Sequence, residues 1–283
     1  MTWPTRKGSN ETMPARAPHP DKVPLFDYHE GDAPLVVAAP HVGMHIPLDL
    51  ANTMTAAGRA MGETDFHVHR LFDFARDLGA TTLFATHSRY VVDLNRDPNG
   101  GNLYPGKFET GLCPLSDFDR NPLYPDGDEP DAAEIERRRE TWYRPYHDHL
   151  RQALDRAVER HGRVLLIDAH SIRPVIPSLF DGRLPDLNFG TNSGATMGAH
   201  LLTVLDAWRD GLTGYTQVRD GRFKGGYTTR HYGDPARNIH ALQIEIVQDC
   251  YLNSDTPHLY DEARAAPLSK ALRPLIDALV LAL

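Results

Sequence analysis

The chain has 283 residues and a mass of 31.6 kDa, enough for one large α/β domain or two small ones sharing a thin core. Apolar residues make up 41% and charged residues 24%, which excludes collagen-like, coiled-coil and wholly disordered chains. Lys and Arg number 30 against 38 Asp and Glu, a net charge of -8, so the chain has no general attraction for nucleic-acid backbones. Its arginines must act as local devices.

Two cysteines, Cys113 and Cys250, are too few for a disulfide framework or a Cys-rich zinc site, and they fit a reducing cytoplasm. No apolar run approaches the roughly 20 residues of a membrane helix, and the N-terminus lacks the apolar stretch of a signal peptide. The expectation is a cytoplasmic protein with neither nucleic acid nor membrane as partner. With 15 histidines and so few thiols, any tightly held transition metal needs imidazole and carboxylate ligands.

Residues 1–22 carry scattered prolines and no periodicity, and are expected to be a disordered tail outside a single domain over 23–283. Residues 34–39 form a continuous apolar run of the kind a buried parallel strand shows, ending in the loop chemistry of Pro40-His41-Val42-Gly43. From Thr64 the period becomes helical, with Val68, Leu71, Phe72, Ala75 and Leu78 on one face, Thr64 as N-cap and Gly79 as stop. Strand-like runs follow at 81–86 and 90–94. Residues 95–130 are rich in Gly, Pro, Asp and Asn, and so long an irregular connection is more often functional than idle. A charged helix is expected over 131–160, its inward stripe Ile135, Trp142, Tyr146, Leu150, Leu154 and Val158. A buried strand over 164–168 leads into His170, and a polar loop runs to Asn192. A helix over 198–208, a strand over 215–219, a Gly-rich loop over 221–235, a strand over 240–247 and a closing helix over 263–283 complete the chain. Alternating strands and helices predict one three-layer α/β domain with a mostly parallel, mixed sheet, in which ligands bind at the carboxyl ends of the strands.

Three segments bring potential metal ligands to such ends: His41, the pair Glu63 and Asp65 before the first helix, and His170. Two imidazoles and a carboxylate, with a position left for water, suit a catalytic divalent ion. Asp168, two residues before His170 on a strand, points the same way and can fix its tautomer. A serine nucleophile at Ser171 is disfavoured, because no Gly-x-Ser-x-Gly elbow is present and adjacent strand residues point oppositely. Glu245 sits in an otherwise apolar strand, where a carboxylate needs a partner, such as an arginine, or a task, such as general base beside an activated water. Arg89, Arg96, Arg173 and Arg230 stand near element ends, suited to gripping carboxylates. The loop Gly221-Arg-Phe-Lys-Gly-Gly226 lacks the ending of a P-loop, and its glycines are expected to allow close substrate approach.

Together, several ordered blocks resemble the N-formylglutamate amidohydrolase (N-formylglutamate deformylase) family. They are Ala39-Pro-His-Val-Gly43, Thr64-Asp65, Leu71-Phe-Asp-Phe-Ala75, Ser88-Arg-Tyr-Val-Val-Asp-Leu-Asn-Arg96, Asp168-Ala-His-Ser-Ile172 and Ile176-Pro-Ser-Leu-Phe180. Leu187-Asn-Phe-Gly-Thr191, Arg222-Phe-Lys-Gly-Gly-Tyr227, Thr229-Arg-His-Tyr-Gly233 and Ala241-Leu-Gln-Ile-Glu245 continue the series. The resemblance implies a fold similar to zinc carboxypeptidases and related amidases. It implies metal-dependent hydrolysis of N-formyl-L-glutamate to L-glutamate and formate, closing a route of histidine degradation. By the same analogy His41, His170 and Asp65, with Glu63 as alternative, hold a divalent metal, zinc first and cobalt or another ion next. Glu245 is then the base, while Arg89, Arg96, Arg173, Tyr227 and Arg230 meet a small dicarboxylate substrate or its oxyanion. A homo-oligomer stays open. The alternatives are an amidohydrolase for another acidic N-acyl amino acid and a non-catalytic binding protein for acidic metabolites.

Overall fold

The structure, a computed structural model, describes residues 23–101, 106 and 108–283. The expected tail at 1–22 lies outside the described residues. Seven strands form one sheet: β1 (Phe26–His29), β2 (Leu35–Ala39), β3 (Thr81–Ala85), β4 (Val164–Ile172), β5 (Leu187–Gly190), β6 (Gln217–Arg219) and β7 (Ile239–Val247). Their order across the sheet is β1-β3-β2-β4-β7-β5-β6. β2, β3, β4 and β7 are mutually parallel, while β1 pairs antiparallel to β3 and β5 antiparallel to β7. The long central strands β4 and β7 are buried along all nine residues, apolar except for Asp168, His170 and Ser171 on β4 and His240, Gln243 and Glu245 on β7.

The helices follow as α1 (Leu48–Thr53), α2 (Ala56–Ala60), α3 (Phe74–Asp77), α4 (Ala132–Arg138), α5 (Arg144–His161), α6 (Ala199–Gly211), α7 (Tyr227–Tyr232) and α8 (Glu262–Ala282). Alternation along the strands divides the core between two faces. Val37, Ile167 and Ile244 pack with Leu201 and Leu205 of α6 and Leu268, Leu272 and Leu275 of α8. Val36, Leu166 and Ala241 pack instead with Trp142 and with Tyr146, Leu150 and Leu154 of α5. Each such aliphatic side chain contributes about 1.5–3 kcal/mol by leaving water. The three layers expected from the sequence are present.

Four local expectations need correction. The helix expected from Thr64 is a 3-10 turn at Val68–Phe72 followed by the short α3, because His67 is left-handed at φ 58° and interrupts any helix begun earlier. Gly79, at φ 77°, is the expected stop. Residues 90–94 form no strand: a turn from Ser88 O to Val91 N bends them into a buried wall beyond β3. The polar loop before Asn192 contains β5, whose pairing with β7 overrides its short, polar-flanked sequence. The Gly-rich loop contains α7, and the early strand β1 was not expected. Within the long charged helix, five residues at Arg139–Tyr143 open into a π-turn just before Pro145, which has no N–H to give to the preceding turn. Asp131 caps the start of that helix by accepting from Glu134 N, and left-handed Gly162 ends it.

Candidate active site

The carboxyl ends of β2, β4 and β7 lie side by side, and each delivers one chemical group. His41 follows β2, His170 lies near the end of β4, and Glu245 lies beside it on β7 in direct register. Asp65 reaches the same point from the turn before Val68, its amide held 2.9 Å from His41 O. Its carboxylate does not cap a helix. Asp65 Oδ2 stands 3.0 Å from His170 Nδ1 and 3.7 Å from His41 Nδ1. The ligand atoms of His41, Asp65 and His170 all fall within 4.8 Å of one another, and all three residues are buried. Ligands about 2.1 Å from a tetrahedral ion sit about 3.4 Å apart, so spacings of 3.0 and 3.7 Å are compatible with one small divalent cation.

The far edges of both rings are held by buried carboxylates. His41 Nε2 donates to Asp93 Oδ1 at 2.7 Å, and His170 Nε2 lies 3.0 Å from Asp168 Oδ1. Each ring therefore turns its Nδ1 inward, toward Asp65, the edge that a metal-binding imidazole presents. Asn95 Nδ2 also approaches His170 Nε2, at 2.9 Å, while its Oδ1 accepts from Thr228 N. Glu63, the alternative ligand, is elsewhere engaged: it accepts from Phe118 N at 2.6 Å and from the Tyr90 hydroxyl. The donor set that converges is two imidazoles and the Asp65 carboxylate, and it suits a divalent cation.

The electrostatics follow from burial and neighbours. Burial and the nearby Arg89 lower His41 to about 4, so its ring is neutral and its lone pair available. For His170 burial also opposes the charge, but Asp168 and Asp65 overcome it and push the pKa well above 6.5. Burial would raise Asp93 too, yet Arg89, Arg96 and His41 hold it well below the usual carboxylate range. Glu245 is pushed up to about 7, chiefly by burial. Its hydrogen-bond partner is the neutral Gln243 Nε2 at 2.9 Å, not an arginine.

His41, Asp65, His170 and Glu245 line a cleft, with Phe108, Glu109, Thr110, Phe118, Leu179 and Phe223 among its walls. Phe108 to Phe118 belong to the long connection that stood out in the sequence. Arg89 and Arg96 line the cleft, Arg89 giving Nη2 to Asp93 at 2.6 Å. Arg173, Tyr227 and Arg230 are not among its lining residues. Arg173 pairs with Asp119 at 2.9 Å, Arg230 donates to Gly225 O, and the Tyr227 ring stacks on His231. Ser171 accepts from the Tyr251 hydroxyl at 2.8 Å, on the strand face away from His170. The glycines of the 221–226 loop serve close approach, but to the protein's own groups: a Cβ on Gly226 would lie 2.3 Å from Asn95 Nδ2.

Sequence reasoning missed Asp93, Asn95, Gln243 and Arg222 as site residues. Asp93 carried a usable signal, a carboxylate inside the apolar run Tyr-Val-Val-Asp-Leu, the same anomaly that singled out Glu245.

Fold and site together define an α/β protein with two imidazoles and several buried carboxylates gathered at the ends of parallel strands. The chain belongs to the N-formylglutamate amidohydrolase family, whose model matches residues 33–252. It is 44% identical over 260 residues to an N-formylglutamate deformylase of Pseudomonas putida, covering 92% of this chain and 96% of that protein. It is 41% identical over 256 residues to one of Pseudomonas aeruginosa, covering 90% and 96%. The solved N-formylglutamate amidohydrolase of Ralstonia eutropha JMP134 superposes with a TM-score of 0.76 at 31% identity, covering 92% of this chain and 97% of that one. A gene product of Agrobacterium tumefaciens shares the fold, with a TM-score of 0.67 at 19% identity over 90% and 95% of the two chains.

Proposed function

We propose that this amidohydrolase hydrolyses N-formyl-L-glutamate to L-glutamate and formate, with a divalent metal at His41, Asp65 and His170 and Glu245 as base. The observation that supports it most is the convergence of those three ligand atoms directly beside Glu245. When bound there, a divalent ion, zinc first among them, would polarise the formyl carbonyl and acidify a water molecule. Glu245, with its pKa near 7, takes a proton from the water as the water's oxygen joins the formyl carbon. It returns the proton to the amide nitrogen as the C–N bond breaks, releasing formate and the free amine. Gln243 orients the carboxylate during both transfers. Arg96 offers the cleft a guanidinium group, Arg89 being balanced by Asp93, and burial of the ligand cluster keeps bulk water from screening these charges.

In the same reading the protein is cytoplasmic and acts in histidine breakdown. Its two thiols are free, and among the described residues no helix is long and apolar enough to cross a membrane. The test is formate release from N-formylglutamate by protein treated with a chelator, then supplied with single divalent metals. Loss of turnover on chelation and recovery with zinc or cobalt is the expected result. Undiminished turnover in chelated, metal-free protein refutes the metal's role.

A further inference from the structure

Among the described residues, three arginines line the cleft: Arg89, Arg96 and Arg222. Arg89 is committed to Asp93, which it approaches to 2.6 Å while nearly fully buried. Arg96 and Arg222 are the other two guanidinium groups that the described lining presents to a substrate with two carboxylates. They stand in different surroundings. Arg96 is tied to the metal-site wall: it follows Asn95, its Nη1 lies 3.9 Å from Asp93 Oδ2, and its other nitrogens donate to the neutral Thr110 carbonyl and hydroxyl. Arg222 stands at the aromatic wall of the cleft. Its Nε donates to Leu179 O at 2.8 Å, and its guanidinium carbon lies 5.1 Å from the Phe223 ring centre. Phe108, Phe118, Leu179 and Phe223 belong to one apolar cluster there.

The substrate's own geometry matches this division. With the formyl carbon beside Glu245, the α-carboxylate is attached one carbon from the amide nitrogen and must stay close to the metal-site wall. The side-chain carboxylate lies two methylenes further out and needs an apolar channel ending in a cation. Resting on the reading of the substrate as N-formylglutamate, we propose that Arg222 selects the side-chain carboxylate, while Arg96 takes the α-carboxylate.

The loop that carries Arg222 is fixed at both ends, so its aim is built in. Thr191 N and Oγ1 both donate to Asp220, itself left-handed at φ 52°. Asn192 N donates to Lys224 O at 2.6 Å, and Gly226 N to Gln243 Oε1 at 2.6 Å. The loop also presses on β5 where only a glycine fits: a Cβ on Gly190 would lie 2.4 Å from Gly225 N. Because Gln243 also holds Glu245, one residue ties the position of the specificity loop to that of the base.

The test is steady-state kinetics of the native enzyme, Arg222→Met, Arg222→Lys and Arg96→Met on N-formylglutamate and N-formylglutamine, which differ only in the side-chain charge. A charged hydrogen bond is lost in Arg222→Met, so the ratio of kcat/KM between glutamate and glutamine substrates should fall about 10–100-fold, through KM. Arg222→Lys should restore part of the ratio, and Arg96→Met should lower both substrates alike. Bound metal and thermal midpoint, measured on each variant, identify any that fails to fold; Arg222→Lys then carries the comparison. An unchanged ratio in Arg222→Met, or a fall shared equally by both substrates, overturns the assignment while leaving the deformylase reading intact. A native enzyme inert toward N-formylglutamate removes that reading, and the assignment with it.

Discussion

Asp93→Asn is the sharpest perturbation of the site, because Asp93 does two separable things. It accepts from His41 Nε2 and neutralises Arg89, and it is entirely buried. Asparagine keeps the shape and one acceptor oxygen but removes the charge. Arg89 is then a buried cation without its ionised partner, a change that costs about 3–5 kcal/mol. Asp65 and Glu63 also act favourably on Arg89, so the lower end, about 3 kcal/mol, is expected. For a domain of this size that lowers the thermal midpoint by about 6–12 °C. His41 meanwhile loses its anionic support, which should weaken metal binding about 10–100-fold. Asp168→Asn is the control. It should weaken metal binding similarly, yet cost less stability, because His170 can release its proton whereas an arginine cannot. Scanning calorimetry on chelated protein reads the stability, and competition with a metal chelator reads the affinity. Equal thermal losses in the two variants, or unchanged metal affinity in Asp93→Asn, would refute this account of Asp93.

Glu245→Gln removes the base but preserves size and the contact with Gln243. Turnover should fall about 10²–10⁴-fold with metal content and KM little changed, as stopped-assay formate release and elemental analysis will show, and near-native turnover would exclude Glu245 as the base. His147 gives a stability signature. Burial lowers its pKa from 6.5 to about 3, with His231, Arg151, Asp168 and Tyr232 facing it and Leu94 O accepting from its Nε2 at 2.9 Å. The unfolded chain binds this proton below pH 6.5 and the folded chain does not, so the contribution is intact above 6.5 and shrinks as pH falls toward 3. The loss is at most about 1.4 kcal/mol per pH unit. His147→Gln should flatten this part of the urea-stability profile between pH 6.5 and 4; identical profiles would show that His147 does not titrate in the way described.

What the sequence made legible follows from the physics of each element. The central strands were visible because both of their faces are covered, leaving unbroken apolar runs at 35–39 and 164–167 and, over 240–247, a strand apolar but for His240, Gln243 and Glu245. The ligands at their ends were visible for the same reason, since the strand fixes where the chain emerges. Asp65 and Glu63 could not be separated from sequence, because a non-helical turn decides which carboxylate faces inward. Tyr90–Leu94 read as a strand because it is apolar and short, and its burial comes from walling the site, not from pairing in the sheet. Arg173, Tyr227 and Arg230 are near element ends in sequence, yet turns carry them out of the cleft lining. Arg222 was hidden among glycines read as substrate-contacting backbone.

The residues behind Glu245 and His170 bear on the roles proposed for this pair. β4 and β7 run in register, so Asp168 lies beside Gln243 and His170 beside Glu245, two rows of polar groups on one face. In each strand the deeper residue bonds the outer one, at 3.0 Å for Asp168 to His170 and 2.9 Å for Gln243 to Glu245. The start of α7 locks the deeper row, with Thr229 Oγ1 donating to Asp168 and Gly226 N to Gln243. The two supporters differ in charge, an anion against a neutral amide, as the two roles proposed above require. An anion behind His170 strengthens the ring as a donor of electrons to a cation. A cation behind Glu245 would pull its pKa back toward the ordinary carboxylate range and take away its basicity near pH 7. A neutral amide fixes the carboxylate while leaving burial to set its proton affinity.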